Sequence, residues 1–176
     1  MRYKILIIIF LLLHYSYFPE SVFLNEEDKS NYSKLQESFK WLDKNLYFYV
    51  LNNSIKYDVD IKLICSVIYA ESSGRNLQGS KNRNGTNDHG YMQVNDVHLR
   101  NEDDVRVLYN PAVNIEMGAK YLSKCLKKAK GDKLHAVRMY NQGMYGNPQK
   151  YNNWRYVSNV LNNYIKAKEQ INENKI

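Results

Sequence analysis

Apolar residues in this chain recur at helical rather than strand spacing, and one long aperiodic segment interrupts them. Leu35, Phe39, Leu42, Leu46, Tyr49 and Val50 form a first stripe, which predicts an amphipathic helix running to about Lys56. Ile61, Ile64, Cys65 and Ile68 form a second, with Asp58 or Asp60 placed to cap it and Ser72-Ser73-Gly74 placed to end it. From Arg75 to His89 the period is lost among Gly79, Gly85 and several Asn and Ser, so this stretch reads as a loop, with a small hairpin at Asn84-Gly85. Tyr91 to Leu99 is a candidate short helix. Helical spacing resumes at Asn110-Pro111, cap and first position, and continues through Ile115, Gly118, Tyr121, Leu122, Cys125 and Leu126 to about Lys130. Leu134 to Tyr140 and Trp154 to Ala167 predict two further helices, joined by a surface loop from Gln142 to Asn153. The pattern predicts a mainly helical single domain with a long polar loop after the second helix. A chain of 176 residues suits one core, and 44% hydrophobic residues exclude a disordered polymer.

The N-terminus follows a different rule. Arg2 and Lys4 precede the apolar run Ile5 to Leu13, which has the charged and hydrophobic regions of a secretory signal and is too short to span a bilayer. Residues 1–20 are therefore expected to be a signal peptide, and 21–34 a polar arm. The folded domain is expected over 35–168, with a polar tail over 169–176. An uncleaved N-terminal helix is the alternative. The net charge of +7 is spread along helix faces rather than gathered with aromatics on one element, which argues against nucleic acid and suits an anionic polymer. Four scattered His residues offer no ligand spacing, so neither a metal nor another cofactor is expected. Cys65 and Cys125 both fall on apolar helical faces, where a disulfide and two buried thiols read alike.

Glu71 is the unusual residue. It lies in the last turn of the second helix, where the negative end of the macrodipole and the apolar Ile68-Tyr69 turn both favour the neutral acid. A carboxyl held protonated near neutral pH is what protonation of a glycosidic oxygen requires. An exposed Glu in a surface ion pair is the bland alternative.

Five spaced blocks weigh against the bland reading. Ala70-Glu71-Ser72, Gly90-Tyr91-Met92-Gln93-Val94-Asn95, Asn110-Pro111-Ala112-Val113-Asn114-Ile115 with Gly118 and Tyr121-Leu122, Met139-Tyr140-Asn141-Gln142-Gly143, and Arg155-Tyr156-Val157-Ser158-Asn159-Val160 occur in that order. Together they resemble the family 1 lytic transglycosylases that carry the SLT domain, over roughly Asp58 to Tyr164. The resemblance implies an α+β lysozyme-like fold, mainly α, with Glu71 as the single catalytic acid/base. It further implies a substrate-binding set of Ser72, Gly90, Met92, Gln93, Asn95, Tyr140, Asn141 and Tyr156. Tyr151 competes with Tyr156 for the place beside the acid.

The loop departs from the commonest pattern of that family. Asn82-Arg83-Asn84-Gly85-Thr86-Asn87-Asp88-His89 is similar to a region of C-type lysozymes, and Glu71 and Asp88 lie 17 residues apart, the interval between the two carboxylates of that enzyme. Asp88 has three readings: stabilising positive charge on the sugar, serving as a second carboxylate for hydrolysis, or holding the turn by hydrogen bonds. The same feature resembles the small exported transglycosylases of secretion, conjugation and pilus machines. The expectation is thus a monomeric, periplasmic or envelope enzyme that cleaves peptidoglycan glycan strands and leaves 1,6-anhydro ends. The alternatives are a muramidase using Glu71 and Asp88, or a non-catalytic wall-binding subunit.

Overall fold

The computed structural model describes residues 26–99, 104–146 and 153–173. The expected signal peptide, Tyr151 and the last residues of the polar tail lie outside them. Six helices and a small sheet make up the described part: α1 (Glu26–Ser38), α2 (Lys44–Tyr57), α3 (Ile61–Ser72), β1 (Gln78–Lys81), β2 (Asn87–His89), β3 (Val94–Asn95), α4 (Pro111–Lys128), α5 (Lys133–Gln142) and α6 (Trp154–Glu173). Short 3-10 turns at Asp96–His98 and Val105–Tyr109 lead from the sheet into α4. The mainly α, lysozyme-like reading agrees with this architecture.

The centre of the molecule is α3. Leu63, Ile64, Cys65, Ser66, Val67 and Ile68 are all buried, and a helix enclosed all round must lie inside the core. It packs between α2 and α6. Asp60 starts it by accepting the Lys62 N–H at 3.0 Å, and Ser73 ends it in a left-handed conformation with its N–H on the Tyr69 carbonyl. Asp58 instead closes α2, also left-handed. Of the two Asp residues offered by the sequence, each caps a different helix.

Four local expectations are corrected. The first amphipathic stripe is not one helix: it breaks across Phe39 to Asp43, where Asp43 accepts the Leu46 N–H and starts α2 afresh. The polar arm is helical from Glu26 and packs on α6, with Asp28 O accepting the Tyr47 hydroxyl and Ser38 bonded to Gln170. Tyr91 to Leu99 contains β3 and a 3-10 turn rather than a helix, and α6 continues beyond Ala167 to Glu173. Cys65 and Cys125 are buried free thiols. Burial pushes the Cys125 thiol up to about 12 and the Cys65 thiol higher, so both behave as small core residues.

The aperiodic loop does fold into the expected hairpin. β1 and β2 pair antiparallel around a turn in which Asn82 donates to Thr86 O at 2.7 Å and Gly85 takes a positive φ of 89°. β3 then pairs antiparallel with β2, placing Asp88 opposite Asn95 and His89 opposite Val94. That register aligns the second carboxylate with a side-chain amide on the neighbouring strand.

Candidate active site

Glu71 occupies the last turn of α3, carried there by the most buried helix of the fold. Burial raises its carboxyl from 4.5 to about 7; a hydrogen bond from Tyr156 pulls it back, and the charge of Asp88 pushes it up again. The Tyr156 hydroxyl donates to Glu71 Oε1 at 2.6 Å. With Oε1 accepting, the acidic proton belongs on Oε2. Tyr156 is brought by the first turns of α6, and burial followed by the nearby Glu71 holds its own hydroxyl well above the usual phenol range. It therefore acts as a donor and not as a base.

Tyr140 arrives from α5. Its hydroxyl donates to the Met92 carbonyl at 2.9 Å, and its ring lies 5.5 Å from that of Tyr121 on α4. Burial, then the charges of Glu71 and others, raise its hydroxyl well above 10. Asn141, one residue further along, is exposed, and its Oδ1 accepts from Asn153 Nδ2 at 3.1 Å. This bond ties the end of α5 to the start of α6, the two elements that deliver Tyr140 and Tyr156.

Asp88 sits in β2, within electrostatic reach of Glu71. Its Oδ1 accepts from Asn95 Nδ2 at 2.7 Å and its Oδ2 from Asn82 Nδ2 at 3.1 Å. Thr86 Oγ1 takes further bonds from the same two amides. The carboxyl group is thus clamped from both sides by the hairpin turn and by β3. Asn95 spends its side-chain oxygen on the Val97 N–H, so its whole amide is engaged within the protein.

The remaining residues of the expected binding set fasten the segment from Gly90 to Asn95 against α3 and α4. Ser72 is buried, with its hydroxyl 2.8 Å from the Tyr91 carbonyl and 3.1 Å from that of Ile68, which fastens the end of α3 to the loop above it. Gly90 has φ 76°, and a Cβ there would lie 2.3 Å from Asn114 Nδ2, so only glycine fits. Met92 is fully buried against Gly118, where a Cβ on the glycine would meet its sulfur at 2.4 Å. Gln93, itself at φ 47°, donates through Nε2 to Gly90 O at 2.8 Å and Leu77 O at 3.2 Å. Glu71, Tyr156, Tyr140 and Asp88 form one electrostatically coupled group. Ser72, Gly90, Met92, Gln93 and Asn95 are engaged in hydrogen bonds and packing inside the protein.

Two contributors carry no role in the sequence reading. Asn114, fully buried on the first turns of α4, accepts the Met92 N–H at 2.8 Å and donates to His89 O at 2.8 Å and Leu108 O at 2.9 Å. Every polar atom of its amide is satisfied, and it pins the GYMQVN segment to α4. Its signal is visible in hindsight: an Asn in line with Gly118 and Tyr121 on a buried face has no solvent to bond. His89 is the other. It is buried, with Nδ1 2.8 Å from the Tyr109 hydroxyl and Nε2 3.3 Å from Asp96 Oδ2. Burial pushes the Asp96 carboxyl up, yet bonds from Asn87 and His89 outweigh it and hold the group below the usual carboxylate range. This network fixes the strand that carries Asp88.

A helical core carrying a half-buried acid at the end of its central helix, beside a small three-stranded sheet, is the architecture of a lysozyme-like fold. Residues 48–160 match the Transglycosylase SLT domain family, and the chain belongs to that family. It is 35% identical over 118 residues to the membrane-bound lytic murein transglycosylase E of Buchnera aphidicola subsp. Acyrthosiphon pisum (strain APS), a match covering 60% of this chain and 52% of that protein. The chain thus spans about half the length of that relative. It is also 28% identical over 125 residues to the invasion protein IagB of Salmonella typhi, covering 68% of this chain and 76% of the relative. The IagB of Salmonella typhimurium (strain SL1344) is 27% identical over the same length.

Proposed function

We propose that this protein is a peptidoglycan lytic transglycosylase that cleaves the bond between N-acetylmuramic acid and N-acetylglucosamine and leaves 1,6-anhydro ends. The observation that carries the reading is Glu71: a carboxyl raised to about 7 by burial, with Tyr156 donating to one oxygen. Such a group keeps its proton in roughly half of the molecules at neutral pH, where an ordinary carboxyl has lost it, and can act as a general acid. In the first step the Oε2 proton passes to the bridging oxygen as the bond from that oxygen to the anomeric carbon breaks. The oxocarbenium-like centre is supported by the substrate's acetamido group and by Asp88 in its clamp. Glu71, now a carboxylate, then takes the proton of the sugar's own C6 hydroxyl as that oxygen bonds the anomeric carbon. The acid is regenerated, and no water enters.

The clamp on Asp88 fits the turn-holding reading, and of the two chemical readings it favours charge stabilisation. Both of its oxygens already accept from side-chain amides, which suits a group fixed in place better than one that activates water. The hydrolytic alternative is carried by the electrostatic coupling of the two carboxyl groups. Peptidoglycan lies outside the cytoplasmic membrane, so the reading places the working protein in the periplasm or envelope. The match to a relative named an invasion protein supports service beside an envelope-spanning apparatus, opening the wall locally.

Digestion of purified peptidoglycan tests the assignment. The wild-type chain is expected to release muropeptides with anhydro ends and Glu71→Gln to release none. Reducing ends would transfer the reading to the muramidase, and release by the Glu71→Gln variant would remove Glu71 as the acid.

A further inference from the structure

Asp96 has no part in the chemistry above, yet its carboxylate touches both sequence neighbours of Asp88. Each of its oxygens lies 3.1 Å from the Asn87 main-chain nitrogen, and Oδ2 also accepts from Asn87 Nδ2 at 3.2 Å. Oδ2 is further 3.3 Å from Nε2 of the buried His89. A carboxylate held below its usual range stays ionised and can only accept, so the His89 Nε2 carries a proton and donates it. The Tyr109 hydroxyl closes the other ring nitrogen at 2.8 Å, with the two rings 5.3 Å apart and nearly perpendicular.

The strand register explains why a side chain takes this place. With Asp88 opposite Asn95 and His89 opposite Val94, Asn87 falls opposite Asp96. β3 ends at Asn95, and at Asp96 the chain turns into a 3-10 helix, so the ladder stops one residue short of Asn87. The Asp96 side chain supplies the acceptor that the ladder lacks. A strand of three residues paired with one of two has little hold of its own. The Asn82 and Asn95 amides grip the Asp88 carboxyl, but they do not set where the main chain carries it. Asp96 grips the residue before Asp88 by main chain and side chain, and the residue after it by its ring. Like charges repel, so an Asp88 on a slackened strand would move away from Glu71.

We propose that Asp96 is a positioning residue for the reaction: with His89 and Tyr109 it holds β2 so that Asp88 stays within electrostatic reach of Glu71. The placement stands by itself. Its consequence for turnover rests on the glycan-cleavage reading with Asp88 as the charge stabiliser.

A double-mutant cycle read by NMR tests the placement without substrate. The Glu71 carboxyl carbon would be titrated in the full chain as wild type, Asp88→Asn, Asp96→Asn and the two together. Tyr156 and Tyr140, which face the same acid from α6 and α5, are intact in all four. Asp88→Asn is expected to move the Glu71 midpoint to lower pH, since it removes a charge that raises it. Asp96→Asn keeps the shape but replaces an acceptor by a donor, and is expected to move the midpoint the same way. In the Asp88→Asn background it should move nothing further. A midpoint unchanged by Asp96→Asn overturns the inference, and so does a shift that persists without the Asp88 charge, which would be the direct field of Asp96. Should Asp96→Asn fail to fold, Tyr109→Phe removes only the outer bond to His89. It is expected to give a smaller shift with the same dependence on Asp88, and no shift there is equally adverse. In peptidoglycan digestion Asp96→Asn is expected to lower kcat roughly tenfold with KM near wild type, and to add nothing to Asp88→Asn. Equal turnover by wild type and Asp96→Asn would refute the catalytic consequence. No muropeptide release by wild type would remove the glycan reading and leave the titration to decide the placement.

Discussion

Glu71 should cost the fold stability, and the cost should appear only as pH rises. Its carboxyl titrates at about 7 in the folded chain against 4.5 as an ordinary carboxyl. Below the lower value both folded and unfolded states hold the proton, and Glu71 contributes no difference. Between the two values the folded state keeps a proton that the unfolded state has released, so stability falls with rising pH. Above about 7 both states are ionised, and the full penalty of about 3 kcal/mol is in place. The glutamine introduced by Glu71→Gln cannot ionise, yet it retains an oxygen to accept from Tyr156. Urea unfolding of both proteins at about pH 4 and about pH 8.5 isolates the effect. The variant is expected to gain about 3 kcal/mol over wild type at the higher pH relative to the lower, roughly 6–12 °C in Tm for a chain of this size. An equal difference at both pH values would refute the claim that burial holds the acid neutral.

Two further outcomes follow from the same geometry. Tyr156→Phe removes the hydrogen bond that pulls the Glu71 carboxyl down, so the alkaline limb of the pH–rate profile should move to higher pH while turnover drops roughly ten- to a hundredfold; kcat/KM measured across pH checks both. Asn114→Leu strands the Met92 N–H and the carbonyls of His89 and Leu108 in a dry interior, and should destabilise by about 3 kcal/mol or more in denaturant titration, with loss of activity as the GYMQVN segment loosens.

What the sequence reveals of this molecule is what repeats or caps. The stripes of α3 and α4 are legible because their buried residues recur at helical spacing, and the hairpin because Asn84-Gly85 has the turn chemistry a tight reversal needs. The break between α1 and α2 is hidden, since Phe39 and Leu42 continue the helical spacing even though both are buried at the break. The helical start of α1 is equally hidden: its buried face reduces to Leu35, and its order comes from packing on α6 far along the chain. β3 has only two residues and exists because β2 lies beside it. In the site, Glu71 is legible from its place at a helix end. The double clamp on Asp88 and the triple anchorage by Asn114 are not, because each joins residues whose only relation is the tertiary fold.

In the proposed mechanism Glu71 is both acid and base, returning to the substrate's own C6 oxygen instead of calling on water. Digestion of peptidoglycan in water enriched in heavy oxygen, followed by mass analysis of the newly formed muramic ends, tests it most directly. Anhydro ends that carry no label are expected. Labelled oxygen at the anomeric carbon from the first turnovers would contradict it and make Asp88 the partner of a hydrolytic pair.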